Sequence, residues 1–303
     1  MTDFISALKE LSCDVEIKEN ESLSLHSTFK IGGPARYFAL PATEEQFISV
    51  MRALKVSKER YIIIGNGSNI LFSDHGFDGV VISTCSMKDV SADGNKITAL
   101  CGASVIRTAI EAQKRGLSGL EFAYGIPGTI GGCISMNAGA YGGQMSDVVL
   151  ETKCYDINND RMFSLTAKQQ NFGYRHTIFT DHPEYVVISS TFEHASDDPV
   201  DIQARMSDYM SRRQDKQPLE FPSAGSVFKR PEGYFAGKLI EDCDLKGFSV
   251  GGAQVSEKHA GFIINRGGAT ANDVSDLIEH IKKTVFDRFG VMLECEVKLV
   301  GDR

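Results

Sequence analysis

The chain has 303 residues, 42% of them hydrophobic and 24% charged, which is ordinary globular usage and excludes wholesale disorder. At roughly 150 residues per domain, the length points to about two domains with a core that needs no disulfide or metal staples. The formal charge is −8, from 32 Lys plus Arg against 40 Asp plus Glu; an acidic surface of this kind speaks against a broad nucleic-acid footprint but leaves room for a local basic pocket.

In chain order, Phe4, Ile5, Leu8 and Leu11 recur at helical spacing behind the N-cap candidates Thr2 and Asp3. Thr43-Glu-Glu-Gln46 reads as a capping box opening a second helix, with Phe47, Val50, Met51 and Leu54 on one face. The pattern then becomes strand-like. Tyr61–Ile64 is cut off by Gly65-Asn-Gly-Ser-Asn69 and resumed by Ile70–Phe72, which predicts strand, tight turn, strand. Gly79–Ile82 and Lys96–Leu100 continue the strands. A helix follows at Val105, Ile106, Ala109 and Ile110, with Gly116 placed to end it. Tyr185–Ile188 closes the middle region, and a boundary falls near residue 195. Ile202, Met206, Tyr209 and Met210 mark the next helix. The strongest helix opens at Thr270 and carries Val274, Leu277, Ile278, Ile281, Val285 and Phe289. The last strand, Leu293 to Val300, alternates, with Leu293, Cys295, Val297 and Leu299 inward. The class is α+β.

Several chemistries are excluded or disfavoured. The seven cysteines are odd in number and none stands in Cys-x-x-Cys spacing, so neither a disulfide framework nor a zinc site is expected, and a reducing cytoplasm is. The histidines are scattered, and no metal site is expected. Met1 to Lys9 shows no basic stretch leading into an apolar core, so no secretory signal is expected. The uncharged stretch Phe122–Ser146 is long enough to span a bilayer, but its seven glycines and one proline read as loop, so no membrane insertion is expected. Gly65-x-Gly67-x-x-Ile70 leads into a strand and lacks the third glycine of a dinucleotide fingerprint. Gly233-x-x-x-Gly237-Lys238 has neither the spacing nor the hydroxyl of a P-loop.

Two glycine clusters remain. Gly65–Asn69 is either a hairpin turn or a turn whose amides converge on an anion. The second runs Gly125-Ile-Pro-Gly-Thr-Ile-Gly-Gly132 and then Met136-Asn-Ala-Gly-Ala-Tyr-Gly-Gly143. It is either a mobile surface loop or a backbone that something must approach closely, and its Thr129, Asn137 and Tyr141 suit a pyrophosphate and a flat ring system. Arg175 is flanked by aromatics in Phe172–Phe179, as a cation–π pair or as a binding group. Ser226 sits in the small-residue turn Pro222–Lys229, and Glu296 shares a polar strand face with Glu294 and Lys298.

Together these segments resemble the UDP-N-acetylenolpyruvoylglucosamine reductase family. Ser27-Thr-Phe-Lys-Ile-Gly-Gly33, Gly65–Leu71, Gly125–Gly143, Gly173-Tyr-Arg175, Ala224-Gly-Ser226 and Leu293-Glu-Cys-Glu-Val297 occur in the family's order over nearly the whole chain. The resemblance implies a two-subdomain FAD-binding region of the vanillyl-alcohol-oxidase (PCMH) type plus a C-terminal α+β substrate domain. The implied division is 1–57 as FAD-binding subdomain 1, completed by 291–303, then 58–195 as subdomain 2 and 196–290 as the substrate-binding domain.

It further implies non-covalent FAD, with NADPH as reductant. FAD would lie against Gly65, Asn66, Gly67, Ser68, Asn69, Gly125, Ile126, Pro127, Gly128, Thr129, Gly131, Gly132, Asn137, Gly139 and Ala140. Arg175, Ser226 and Glu296 fall on the catalytic positions, and Tyr174, Lys216, Arg230 and His259 on substrate-binding ones. Thr177 stands where a serine is common after Tyr-Arg. Arg230 stands where one branch has asparagine, and His259 where some relatives have glutamine. Only 40 residues separate Arg175 from Lys216, as in the shorter type without a substrate-capping tyrosine loop. A monomer is expected. The alternatives are an alcohol oxidase on the same FAD fold, which has no need of the Arg175, Ser226 and Glu296 set, and a non-catalytic nucleotide-binding regulator.

Overall fold

The computed structural model describes residues 3–301; the proposed cap Thr2 lies outside them. The architecture is α+β, with eight α-helices among the described residues. They are α1 Phe4–Glu10, α2 Glu44–Ser57, α3 Val105–Lys114, α4 Ile130–Ser135, α5 Ile178–Asp181, α6 Pro199–Lys216, α7 Ala236–Asp242 and α8 Ala271–Phe289. Local chemistry sets their ends. Asp3 caps α1 by accepting from Ser6 N, Thr43 caps α2 through Gln46 N, and Thr270 forms a full capping box with Asp273 on α8. Gly290, at φ +69°, ends α8 in the left-handed region, and Gly116 follows α3 at φ +66°.

The chain divides into two compact units. The first comprises Met1–Lys18, Phe38–Asn66 and Val80–Arg212; the second comprises Glu19–Tyr37, Gly67–Gly79 and Arg213–Arg303. The first unit holds an antiparallel five-stranded sheet in the order Arg161–Thr166, Val149–Asp156, Tyr185–Glu193, Lys96–Leu100, Val90–Asp93. Its inward side chains, such as Ile97 and Ala99, are fully buried. In the second unit α7 and α8 pack with the short antiparallel strands Ser249–Val250, Ala253–Val255 and Ile263–Asn265. Their core contains Leu239, Ile240, Val255, Ile263, Leu277 and Ile281. Phe289, on the predicted apolar stripe of α8, is 38% exposed, so the buried stripe stops at Val285.

Two expectations fail on pairing. Tyr61–Ile64 and Ile70–Phe72 do not form a hairpin. The former pairs in parallel with Phe77–Ser83, and the latter in parallel with Lys298–Val300. The Gly65–Asn69 turn therefore carries the chain from one sheet to another. The alternating segment Leu293–Val300 is a strand only over Lys298–Val300, and Leu299 is 55% exposed. Alternation reports two faces but not whether both are covered, and only the Leu293 to Val297 part lies against a core.

Candidate active site

In the first unit some of the glycines are fitted closely to their neighbours. A Cβ on Gly65 would lie 2.1 Å from Thr129 Oγ1, and one on Gly131 would lie 3.0 Å from Cys101 Cβ. Asn66 Nδ2 donates to Pro127 O at 2.8 Å, joining the two glycine clusters. The second cluster is pinned from below. Val105 N donates to Gly128 O, while Ile130 N and Gly131 N donate to Ala103 O and Cys101 O. Thr129 caps α4 by accepting from Gly132 N.

Asn137 is buried in the left-handed region at φ +45°. Its Nδ2 donates to Gln144 Oε1 (3.2 Å) and Gly173 O (3.1 Å), and its Oδ1 accepts from Ser146 N (3.0 Å). The side-chain amide is thus spent on holding two loops together. Tyr141 and Gly142, both at positive φ, form the two-residue turn between Gly139–Ala140 and Gly143–Gln144. The Tyr141 ring is already taken: it stacks on Tyr209 of α6 with centroids 4.9 Å apart and planes 2° from parallel. A helix residue so far along the chain gave no signal of this contact in the sequence.

The Asn137 bond to Gly173 O places the Arg175 turn against the same loop. Gly173 and His176 bridge across Tyr174 and Arg175, and Arg175 sits at φ +54°. Buried Thr177 fastens the far side by donating to Ser135 O at 2.8 Å. An L-residue in this region costs about 1–2 kcal/mol, so the turn is imposed by its surroundings. Tyr174 is 59% exposed, and the Arg175 guanidinium lies 5.4 Å from its ring centre. Burial pushes the Cys133 thiol up to about 12, with the Arg175 charge opposing only part of that rise.

In the second unit, three stretches of main chain are stitched together around Ser226. Val227 N donates to Gly261 O (2.9 Å), Glu296 N donates to Val227 O (2.7 Å), and Ser226 bridges to Phe262. Asn69 Nδ2 donates to Glu296 O at 3.2 Å, and Lys298 N donates to Asn69 O. Glu296 is therefore held by its backbone at both ends. Ser226 Oγ donates to Phe228 O at 3.3 Å. Lys229 is ion-paired with Glu294. Gly67 fits as tightly as Gly65: at φ +61°, its Cβ would lie 2.0 Å from His26 O.

The remaining substrate candidates lie in the same unit. Arg230 stacks 4.0 Å over the Phe235 ring and donates to Tyr234 O. Lys216 is exposed at the end of α6, close enough to His259 for its charge to be felt there. Among the described residues, no group of three or more His, Cys, Asp or Glu is placed to hold a metal.

Two family models match. The C-terminal domain of UDP-N-acetylenolpyruvoylglucosamine reductase matches residues 217–300, and an FAD binding domain matches residues 35–165. The reductase of that name from Caldanaerobacter subterraneus subsp. tengcongensis is 46% identical over 299 residues, covering 99% of this chain and 98% of the relative. That from Clostridioides difficile is 46% identical over 300 residues, with the same coverage. The chain belongs to the UDP-N-acetylenolpyruvoylglucosamine reductase family. The crystal structure of the Thermus caldophilus reductase (MurB) matches with a TM-score of 0.79 at 30% identity, covering 94% of this chain and 98% of that one.

The chain's own geometry fits the FAD that this membership brings. The pyrophosphate of a dinucleotide needs main chain it can approach closely, and in the first unit Gly65 and Gly131 pack so tightly on Thr129 and Cys101 that the backbone there is kept without side chains. Gly132 and Gly142 lie exposed on the same loop.

Proposed function

We propose that this chain is the NADPH-dependent flavoenzyme that reduces UDP-N-acetylenolpyruvoylglucosamine to UDP-N-acetylmuramate. That step lies in peptidoglycan precursor synthesis, on which cell-wall biogenesis, cell shape and division depend. The observation that carries the reading is identity of 46% across 99% of the chain with reductases named for this substrate. In this reading the protein is a cytoplasmic monomer; among the described residues no helix is long and apolar enough to cross a membrane. The functional division is 1–57 with 291–303 and 58–195 for FAD, and 196–290 for substrate.

Gly65–Asn69, Gly125–Thr129, Gly131, Gly132, Gly139 and Ala140 hold the FAD, with Asn137 contributing through its main chain because its amide is occupied. The cofactor is non-covalent, in keeping with a Cys133 thiol too buried and too basic to attack it. Bound FAD supplies the redox chemistry, accepting a hydride from NADPH and delivering it to C3 of the enolpyruvyl group. As C3 is reduced, negative charge builds on the substrate carboxylate. Arg175 meets that charge with a fixed guanidinium, and Glu296, where it is protonated, adds a hydrogen bond. Ser226 gives its proton to C2, completing the addition of two hydrogens across the double bond. Tyr174, Lys216, Arg230 and His259 hold the nucleotide sugar.

The test is spectroscopic. Purified protein is expected to be yellow and to release its colour on acid precipitation. Under anaerobic conditions, NADPH is expected to bleach it, and the enolpyruvyl substrate to restore the colour. Bleached enzyme that re-oxidises with oxygen but not with this substrate would overturn the assignment.

A further inference from the structure

His259 and Gly261 lie on the loop that joins the strands Ala253–Val255 and Ile263–Asn265. The loop is compact. Ser256 Oγ accepts from Lys258 N and His259 N, Phe262 N donates to His259 O, and Ser256 N donates to Phe262 O. At its tip, Gly261 faces two ways across its Cα. Its N–H donates to His259 Nδ1 at 3.1 Å, and its carbonyl accepts from Val227 N, the residue after Ser226, at 2.9 Å. There is no room for another atom between the two sides: a Cβ on Gly261 would lie 3.0 Å from His259 Cε1 and 3.5 Å from Ser226 Oγ. The edge of the Phe262 ring, with centroids 4.9 Å apart, closes another side of the imidazole.

We infer that His259, acting through Gly261, is a positioning residue for the proton donor Ser226, and that protonating the imidazole releases the brace. This rests on the reading of Ser226 given above. Because Nδ1 accepts from Gly261, the neutral ring carries its hydrogen on Nε2. Acid adds the second hydrogen at Nδ1, so that two N–H groups face each other and the bond is lost. The Gly261 carbonyl then no longer fixes Val227, and Ser226 loses its register against the substrate. Burial is the main influence that holds His259 below the ordinary 6.5, and a hydrogen bond to its own main chain is the next and pulls the other way. Lys246 and Lys216 lower it further, and Glu241 opposes them.

The experiment uses FAD-loaded enzyme and stopped-flow absorbance of the flavin between about pH 5 and pH 8. The limiting rate of re-oxidation at saturating substrate is expected to fall on the acid side, below an apparent pKa under 6.5, and to level off about five- to tenfold lower. Bleaching by NADPH is expected to stay flat. His259→Asn places a carbonyl oxygen where Nδ1 stood and cannot titrate, so the acid limb should vanish whatever the plateau. His259→Ala should slow re-oxidation at all pH values by about five- to tenfold, the equivalent of one hydrogen bond. An acid limb that persists in His259→Asn overturns the inference, as does an acid effect confined to substrate affinity. If wild-type enzyme is not re-oxidised by the substrate at all, the functional reading fails instead. Amide NMR then judges the brace by itself: Gly261 and Val227 shifts that titrate with His259 support it, and fixed shifts overturn it.

Discussion

The two units bear their site residues in opposite ways. In the first, the shape of the main chain is the feature. Gly65 and Gly131 sit where a methyl group has no space, and Asn137, Tyr141 and Arg175 occupy left-handed backbone that side chains avoid. In the second, Gly67 is fitted as tightly, but Ser226, His259 and Glu296 ride on short extended or looped segments stitched by main-chain bonds, and the left-handed Gly225 beside Ser226 has open space around it. Damage to the first region should therefore appear as lost cofactor and lost stability together. Damage to the second should appear as lost chemistry in a protein that still folds and is still yellow.

The largest expected effect tests the second half of that contrast. Ser226→Ala should keep its FAD and bleach with NADPH at close to the normal rate, while re-oxidation by the enolpyruvyl substrate slows by about 10²–10⁴. Equal slowing of both half-reactions would make Ser226 a structural turn residue and move the acid role to Glu296. Gly65→Ala tests the first half. Its methyl would have to displace Thr129, which caps α4, at a cost of about 1–3 kcal/mol. The variant should purify with less flavin and melt earlier. Normal flavin content and a normal melting temperature would show that the loop yields easily.

Arg175 sharpens the comparison because it combines strained backbone with chemistry. Arg175→Lys keeps the positive φ but replaces a two-pronged donor with a point charge. It should lose about 1–3 kcal/mol of transition-state stabilisation, tenfold to more than a hundredfold in rate, with little change in melting. Arg175→Gly should abolish most activity and yet be neutral or stabilising by up to about 1 kcal/mol, because glycine adopts φ +54° without strain. If the glycine variant melts markedly earlier, the guanidinium is part of the structural framework as well.

What was legible in the sequence divides along the same line. Helices α2 and α8 were plain because a capping box and an apolar stripe are local signals. The glycine loops stood out because so many glycines point either to close approach or to a flexible loop, and Gly65 and Gly131 are the closely approached ones. The pairing of Tyr61–Ile64 was misread because its partner, Phe77–Ser83, joins it in parallel, and parallel pairing leaves no turn signature. Ser226 and Glu296 stood out only through the family resemblance, since a serine in a turn and a carboxylate on a polar strand face are common. The Tyr141–Tyr209 stack and the Gly261 brace were invisible: one joins residues far apart in sequence, and the other runs through main chain rather than a side chain.

The smallest expected effect concerns a pair of histidines, one in each unit, with opposite tautomers. His194 Nδ1 lies 3.2 Å from Ser118 O, an oxygen that can only accept, so the neutral ring carries its hydrogen on Nδ1. His259 has its Nδ1 turned to the Gly261 N–H and carries its hydrogen on Nε2. Burial holds both below the ordinary 6.5. For His194 the added proton would go to Nε2, which is buried with no hydrogen-bond partner among the described residues. In both cases the unfolded chain takes up the proton first. Their contribution is therefore fully present above pH 6.5 and is lost as the pH falls toward the lower folded-state values. Urea unfolding on either side of pH 6.5, at pH values still above the carboxylate range, should show a shallow loss of stability. His194→Asn keeps a donor for Ser118 O and cannot titrate, so it should flatten part of that slope. His259→Asn should flatten the rest. Imidazole nitrogen shifts at neutral pH should show the two tautomers directly. Finding the Nδ1–H tautomer at both sites would break the contrast, because His259 would then be unable to accept from Gly261.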